Sequence, residues 1–199
     1  VFADGPYDRT SRDVPRDFVE LPSQIDENWA AEPQVLKAYA IHYKTGKVIP
    51  DALIDKLEKS AQFNQGFITT ELLAASILDL DYNTVANPAI SDVRAFEKQS
   101  MDKIGLIDEI LPRYRSTYFQ HSFSGGYTAG YYVYTWAAVL DADAFDAFKS
   151  SGDIFNPVLA AKFRELLTKC GTDEGMAIYQ KFRGKDPDIT PLLKKRGLL

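Results

Sequence analysis

Hydrophobic residues along the chain recur mostly at helical spacing, and no segment alternates convincingly as a β-strand does. In "PDALIDKLEKSAQF", Leu53, Leu57 and Ala61 fall on one face, which predicts an amphipathic helix. The long apolar stretch "GFITTELLAASILDLDY" predicts a buried helix. Asn156-Pro157 is typical of an N-cap followed by proline in the first turn, in a helix that ends before Gly171. We therefore predict roughly eight helices and a mainly α fold.

Several caps and breaks refine this pattern. Asp13 is expected to cap the first helix, and Pro22 to kink or split it. Ser91 and Thr172 are expected to cap the helices that follow them. One long helix is predicted from Tyr127 to about Lys149.

Length and composition indicate an ordinary globular chain. Its 199 residues allow one sizeable domain, which we expect to span residues 1–199. A net charge of −5 argues against nucleic acid as the main partner, and no apolar run is long enough to cross a membrane. The single cysteine, Cys170, cannot form an internal disulfide and is expected to be a small buried apolar side chain.

The stretch "PRDFVELPSQIDENW" carries candidate metal chemistry. At helical spacing Asp17, Glu20 and Glu27 share one face. Such a face is often only a solvated acidic stripe. However, Phe18 and Ile25 crowd the neighbouring positions, so Glu20 is expected to be partly buried. A buried carboxylate needs a cation, a hydrogen-bond donor or a metal ion.

The stretch "HSFSGGYTAGYYVYTW" is rich in hydroxylated aromatic residues. It lacks the glycine-lysine pattern of a phosphate loop. On one continuous helix, Tyr127, Tyr131 and Tyr134 would share a face, while Tyr132 and Trp136 would pack on the opposite side. Three phenols on one stripe need hydrogen-bond partners if they are buried. The stretch is therefore either an aromatic core or a polar face turned towards a ligand.

Together, residues 15–29 and 121–148 resemble the thimet-oligopeptidase-like zinc metallopeptidases, and most of all the bacterial peptidyl-dipeptidases, also called dipeptidyl carboxypeptidases. The tail "FRGKDPDITPLLKKRGL" resembles the C-terminal end of that family. The resemblance implies a multi-helix C-terminal part of a zincin-type catalytic domain, mainly α.

In this family two histidines of an H-E-x-x-H helix and a later glutamate hold a zinc ion. The resemblance places that glutamate at Glu20, but this chain contains no H-E-x-x-H, because its only histidines are His42 and His121. The zinc site is thus expected to be incomplete here, and the fragment alone inactive. Asp17, one turn earlier, could orient a ligand histidine in the missing N-terminal part, or could be a plain surface aspartate.

The resemblance also assigns the substrate side of the site. It makes His121 the residue that binds a substrate carbonyl, and Tyr127, Tyr131 and Tyr134 the catalytic tyrosines. A lone histidine, however, is often only structural. The pair Gly125 and Gly126 would form a mobile substrate loop. Phenol O–H groups suit the role, since a peptidase must stabilise a developing oxyanion.

The implied reaction is release of dipeptides from the C-terminus of short peptides. One alternative is an oligopeptidase that cuts inside short peptides, and another is a non-catalytic helical interaction domain. The expected partners are a peptide substrate and the missing N-terminal part of the same enzyme, and the isolated fragment is expected to self-associate. A cytoplasmic location is favoured over a periplasmic one.

Overall fold

A computed structural model describes residues 14–87 and 89–199, and over these residues the chain is mainly helical, as predicted. Two isolated bridges, Ile41 with Val48 and Cys170 with Asp173, are the β-type pairings found there. The α-helices are α1 Arg16–Val19, α2 Leu21–Ala31, α3 Pro33–Tyr39, α4 Asp51–Ala61, α5 Gln65–Thr84, α6 Val93–Lys103, α7 Gln120–Phe123, α8 Val133–Ser150, α9 Pro157–Lys169, α10 Gly175–Arg183 and α11 Thr190–Lys195. A short 3₁₀ helix covers Ser116–Tyr118.

The chain divides into two compact units. The terminal unit comprises the chain up to Phe63 together with Ala137–Leu199, and the central unit is Asn64–Trp136. A single region over 1–199 stays a prediction. None of the described helices combines the length and the apolar character that a membrane crossing demands.

The predicted break at Pro22 is confirmed. Helix α1 ends at Val19 and α2 begins at Leu21, with proline at the second position of the new helix. Proline has no N–H to donate to the carbonyl four residues earlier, which ends the first helix. The continuous acidic face predicted over Asp17, Glu20 and Glu27 is therefore interrupted at Glu20. The expected cap Asp13 lies outside the described residues.

Two of the expected caps are wrong and one is confirmed. Asp92, not Ser91, caps α6, because its carboxylate accepts two backbone N–H groups of the first turn. Glu174, not Thr172, caps α10. The Thr172 hydroxyl instead donates to the Lys169 carbonyl at the end of the preceding helix, at 2.9 Å. Asn156 caps α9 as expected.

Two predictions about helix burial need correction. On α4 the buried residue is Ile54, whereas Leu53, Leu57 and Ala61 are exposed, so the predicted apolar face is not the packed one. Helix α5 is buried over residues 74–79 rather than along its whole length. Its buried positions are Ala74, Ala75, Ser76, Leu78 and Asp79, and its exposed large apolar residues are Phe67, Ile68, Leu73 and Leu80.

Aromatic rings fill the core of the terminal unit. The Trp29 ring on α2 makes edge contacts with Phe145 and Phe148 of α8, at centroid distances of 4.7 and 4.9 Å. The Trp29 indole N–H donates to the Ile154 carbonyl at 2.8 Å, which satisfies its polar edge. Cys170 is buried as predicted, and burial raises the pKa of its thiol to about 11.

Two buried aspartates on α8 behave in opposite ways. Burial alone would raise the pKa of Asp143, but hydrogen bonds from Arg183 and Tyr179 outweigh it and the pKa is lowered. For Asp141 burial prevails over Lys195 and Asn28, so the pKa of this carboxyl is raised. The difference arises because the Arg183 guanidinium meets both oxygens of Asp143, at 2.8 and 2.9 Å.

Candidate active site

The aromatic stretch reaches its geometry through turns and not through one helix. Helix α8 begins at Val133, so the helix predicted from Tyr127 starts six residues later than expected. The Tyr127 N–H donates to the His121 carbonyl at 2.9 Å, and the Gly130 N–H to the Tyr127 carbonyl at 2.8 Å. These turns fold residues 127–132 back onto α7.

The turns gather the predicted tyrosines around His121, in what we call the His121 cluster: His121, Tyr127, Tyr131 and Tyr134. The imidazole centroid lies 5.8 Å from Tyr127, 5.5 Å from Tyr131 and 5.9 Å from Tyr134. Tyr127 stacks on Tyr134 at 5.4 Å. Helical spacing thus predicted the right group of side chains, although turns and not one helix bring them together. Their catalytic role stays a prediction.

The phenols of the His121 cluster differ in burial. Tyr131 is only 3% exposed, whereas His121, Tyr127 and Tyr134 are half-buried. Burial raises the pKa of Tyr131 to about 12, against the weaker opposing effect of Arg113. The Tyr131 phenol therefore stays protonated well above neutral pH. Tyr127 and Tyr134 are better placed than Tyr131 to meet a ligand.

Tyr132 does not pack as predicted. Its side chain is 45% exposed, while Trp136 on α8 is half-buried. The prediction treated both residues as positions on one continuous helix, but Tyr132 precedes the helix and is not bound by its periodicity.

Ring contacts and an anchored segment support the His121 cluster. Tyr114 stacks on Phe119 at 5.4 Å and approaches His121 at 4.8 Å. The segment that carries Tyr114 is tied to α6 by Glu97, which accepts hydrogen bonds from Arg115 and Ser116. Burial opposes ionisation of Glu97, but these donors outweigh it and lower its pKa. The sequence reasoning missed this support.

Asp79 on α5 is a second residue that the sequence reasoning missed. Its carboxylate is fully buried and accepts hydrogen bonds from the Ser122 hydroxyl, from the Ala129 N–H at 3.1 Å and from the Tyr131 N–H at 3.0 Å. The Asn83 amide also donates to it, at 3.3 Å. An aspartate inside the apolar run "AASILDLDY" was the available signal, because a buried carboxylate requires donors.

The two loop glycines have distinct structural reasons. A Cβ at Gly125 would lie 2.9 Å from the His121 Cα and 3.1 Å from the Gln120 carbonyl oxygen, so the loop packs too closely for a side chain. Gly126 has a φ of 80°, in the left-handed region that glycine tolerates best. The expected mobility of this loop stays a prediction.

The candidate metal ligand Glu20 belongs to the terminal unit. It is half-buried at the C-terminal end of α1, and its carboxylate accepts the Ser23 hydroxyl at 3.1 Å. Asp17 is exposed on α1. Within residues 14–87 and 89–199, no three His, Cys, Asp or Glu side chains lie together in a way that could hold a metal ion.

Comparison with known proteins gives the family. Peptidase family M3 matches the chain over residues 1–198. The chain belongs to peptidase family M3. It is 42% identical to the dipeptidyl carboxypeptidase of Escherichia coli and 39% identical to that of Salmonella typhimurium, each over 93% of the chain. It is 35% identical to oligopeptidase A of Haemophilus influenzae over 94% of the chain. The chain spans 28% of the length of each of these relatives.

Glu20 is the one residue of this chain to which the resemblance assigns zinc binding. A half-buried carboxylate is a ligand type that zinc accepts, so Glu20 fits the position that the resemblance gives it. A catalytic zinc site takes several protein ligands, and this sequence has no H-E-x-x-H to supply the others. The chain therefore offers one candidate ligand, Glu20, whose role in binding zinc stays a prediction.

The contact at Gly125 gives a test of the loop geometry. Gly125→Ala is expected to lower the free energy of unfolding by about 1–3 kcal/mol, because backbone atoms of residues 120 and 121 must move. Chemical denaturation measures the change. Gly66→Ala is the matched control: a Cβ there meets nothing within 4 Å, and alanine favours the helix. Equal behaviour of the two variants would contradict the close packing.

Proposed function

We propose that the chain is the C-terminal part of the catalytic domain of a zinc metallopeptidase that releases dipeptides from the C-terminus of short peptides. The observation that supports this most is the His121 cluster, in which three phenol rings lie 5.5–5.9 Å from one imidazole in a chain of peptidase family M3. Donors of this kind suit the oxyanion that forms when a peptide bond is attacked.

We assign distinct roles within the cluster. The half-buried phenols of Tyr134 and Tyr127 donate hydrogen bonds to the developing oxyanion and position the substrate. His121 holds a backbone carbonyl of the peptide. Tyr131, which is buried and protonated, packs against His121 and Tyr134 and keeps these two rings fixed. Gly125 and Gly126 form the loop that closes over the bound peptide.

Glu20 supplies one ligand of the zinc ion, and Asp17 orients a ligand histidine from the rest of the enzyme. When bound, zinc supplies Lewis acidity at the scissile carbonyl. The remaining ligands and the general base belong to the N-terminal part of the protein, so the isolated chain is inactive. Its exposed aromatic residues, including Tyr39, Tyr43 and Phe63, support self-association when that part is absent. We place the enzyme in the cytoplasm, with the periplasm as the alternative.

An oligopeptidase that cuts inside short peptides is the second candidate. The chain is 35% identical to a protein named oligopeptidase A, which supports this reading, and 42% identical to one named dipeptidyl carboxypeptidase, which supports ours. A non-catalytic helical interaction domain is the rival from another class. Stoichiometric zinc together with peptidase activity in the longer protein would exclude it.

The products of a blocked tetrapeptide separate the two peptidase candidates. We expect the longer protein that carries this chain to release the C-terminal dipeptide from an N-blocked tetrapeptide, detected by mass spectrometry of the products. A C-terminally amidated copy of the same tetrapeptide is the control, because a peptidyl-dipeptidase that binds the free C-terminal carboxylate should cleave it more slowly. Internal cuts in longer peptides without dipeptide release would favour the oligopeptidase.

Tyr134→Phe tests the oxyanion role. Loss of one donor that acts mainly in the transition state is expected to lower kcat by about 100-fold, with KM changed by less than about threefold. Steady-state kinetics on the tetrapeptide measures both constants. The control is Tyr132→Phe, the same change at an exposed position two residues away, for which we expect kinetics like those of the wild type. A normal kcat for Tyr134→Phe would remove this residue from the mechanism.

Glu20→Gln tests the zinc assignment. The amide is a poorer zinc ligand than the carboxylate, so zinc affinity of the longer protein is expected to fall at least about 100-fold. Titration with a competing chelator, followed by metal analysis, measures it. Glu27→Gln makes the same change at an exposed position on α2 and should leave zinc affinity unchanged. Unaltered zinc content and activity in Glu20→Gln would refute the assignment.

A further inference from the structure

The buried carboxylate of Asp79 joins the two ends of the loop that carries the His121 cluster. The Ser122 hydroxyl donates to it from one end, directly after His121 in sequence. The N–H groups of Ala129 and Tyr131 donate to it from the other end, and Tyr131 is itself a member of the cluster. One side chain on α5 thereby fixes the positions of both ends of the loop against the protein core.

The loop is also closed by its own bonds. The Thr128 hydroxyl donates to the Ser122 carbonyl at 2.6 Å, one step beyond the bond from the Tyr127 N–H to the His121 carbonyl. Ala129 has a φ of 54°, in the left-handed region that non-glycine residues rarely occupy. Such a conformation persists where the surroundings enforce it, and here the Asp79 carboxylate holds the Ala129 N–H.

Hydrogen bonds compensate the buried carboxylate of Asp79, and most of them come from the loop. Within the described part of the chain no cation forms an ion pair with Asp79, so its compensation comes from hydrogen bonds. Three of those donors are in the loop and one, Asn83, is on α5 itself. Loss of the loop geometry would leave a buried carboxylate short of donors, which is unfavourable.

We propose that Asp79 is the positioning residue of the His121 cluster, holding the cluster in the geometry required for peptide cleavage. Asp79 does not touch the substrate and acts through the backbone of residues 129–131 and the hydroxyl of Ser122. This rests on the proposed function for its catalytic consequence. The geometric part, that Asp79 fixes the loop, stands on the contacts of the central unit alone.

Asp79→Asn tests the proposal with little change of shape. The amide keeps one acceptor oxygen, but its NH₂ must face an N–H donor of the loop, most directly that of Tyr131, which bonds the second carboxylate oxygen. We expect the Tyr131 amide in the longer protein to exchange with deuterium at least about tenfold faster. We also expect kcat on the tetrapeptide to fall at least about tenfold, with KM changed by less than about threefold.

Asp81→Asn is the matched control. It makes the same change two residues along α5, where the carboxylate accepts the buried Ser100 hydroxyl of α6 at 2.6 Å and not a loop donor. We expect it to lower the melting temperature while leaving kcat and exchange of the loop unchanged. Ser122→Ala, which removes a single donor, serves if Asp79→Asn does not fold, and should shift both readouts in the same direction to a smaller extent.

The outcomes separate this inference from the proposed function. Faster loop exchange with a lower kcat in Asp79→Asn, absent from Asp81→Asn, supports the positioning role. Unchanged loop exchange overturns it, as does faster exchange with a normal kcat, which would make Asp79 merely structural. If the wild-type protein cleaves no peptide, the proposed function fails, and the exchange measurement alone decides whether Asp79 fixes the cluster.

Discussion

A carboxylate removed from water must find donors, and in the central unit that requirement shapes the candidate site. Asp79 is fully buried on α5, and it draws one hydroxyl and two backbone N–H groups from the segment 122–131. The segment has no regular secondary structure over residues 124–132, so the carboxylate supplies the fixed point that a helix or sheet would otherwise provide. The aromatic contacts of His121 follow from where this point lies.

Aromatic packing completes what the hydrogen bonds begin. Phe119 and Tyr131 meet edge to face at 5.0 Å in a cluster with the buried Ala75 of α5, and Tyr114 stacks on Phe119 and meets Tyr131 edge to face at 5.8 Å. Rings of this kind are large and lose little rotamer freedom on packing, so they hold their polar groups at defined positions. Glu97 anchors the segment that carries Tyr114 in the same manner, with a buried carboxylate and loop donors.

Local signals in the sequence predicted much of the fold. The break at Pro22, the cap at Asn156 and the mainly helical class all follow from backbone chemistry within a few residues, and all are present. The errors lie where distant contacts decide. Periodicity could not reveal that α8 starts at Val133, because Tyr127 and Tyr131 are held by α5 and α7 and not by a helix of their own. The loop donors to Asp79 lie 43 to 52 positions further along the chain, beyond any local pattern.

The chemical origin of each bond to Asp79 determines how the loop tolerates sequence change. At positions 129 and 131 the donor is the main chain, so any residue except proline can supply it. At position 122 the donor is a side chain, and only a hydroxyl or a similar group can replace it. The bonds to Asp79 thus depend on side-chain identity only at positions 79 and 122, whereas residue 129 contributes its main chain and is restricted by its left-handed φ of 54°, which β-branched residues rarely adopt.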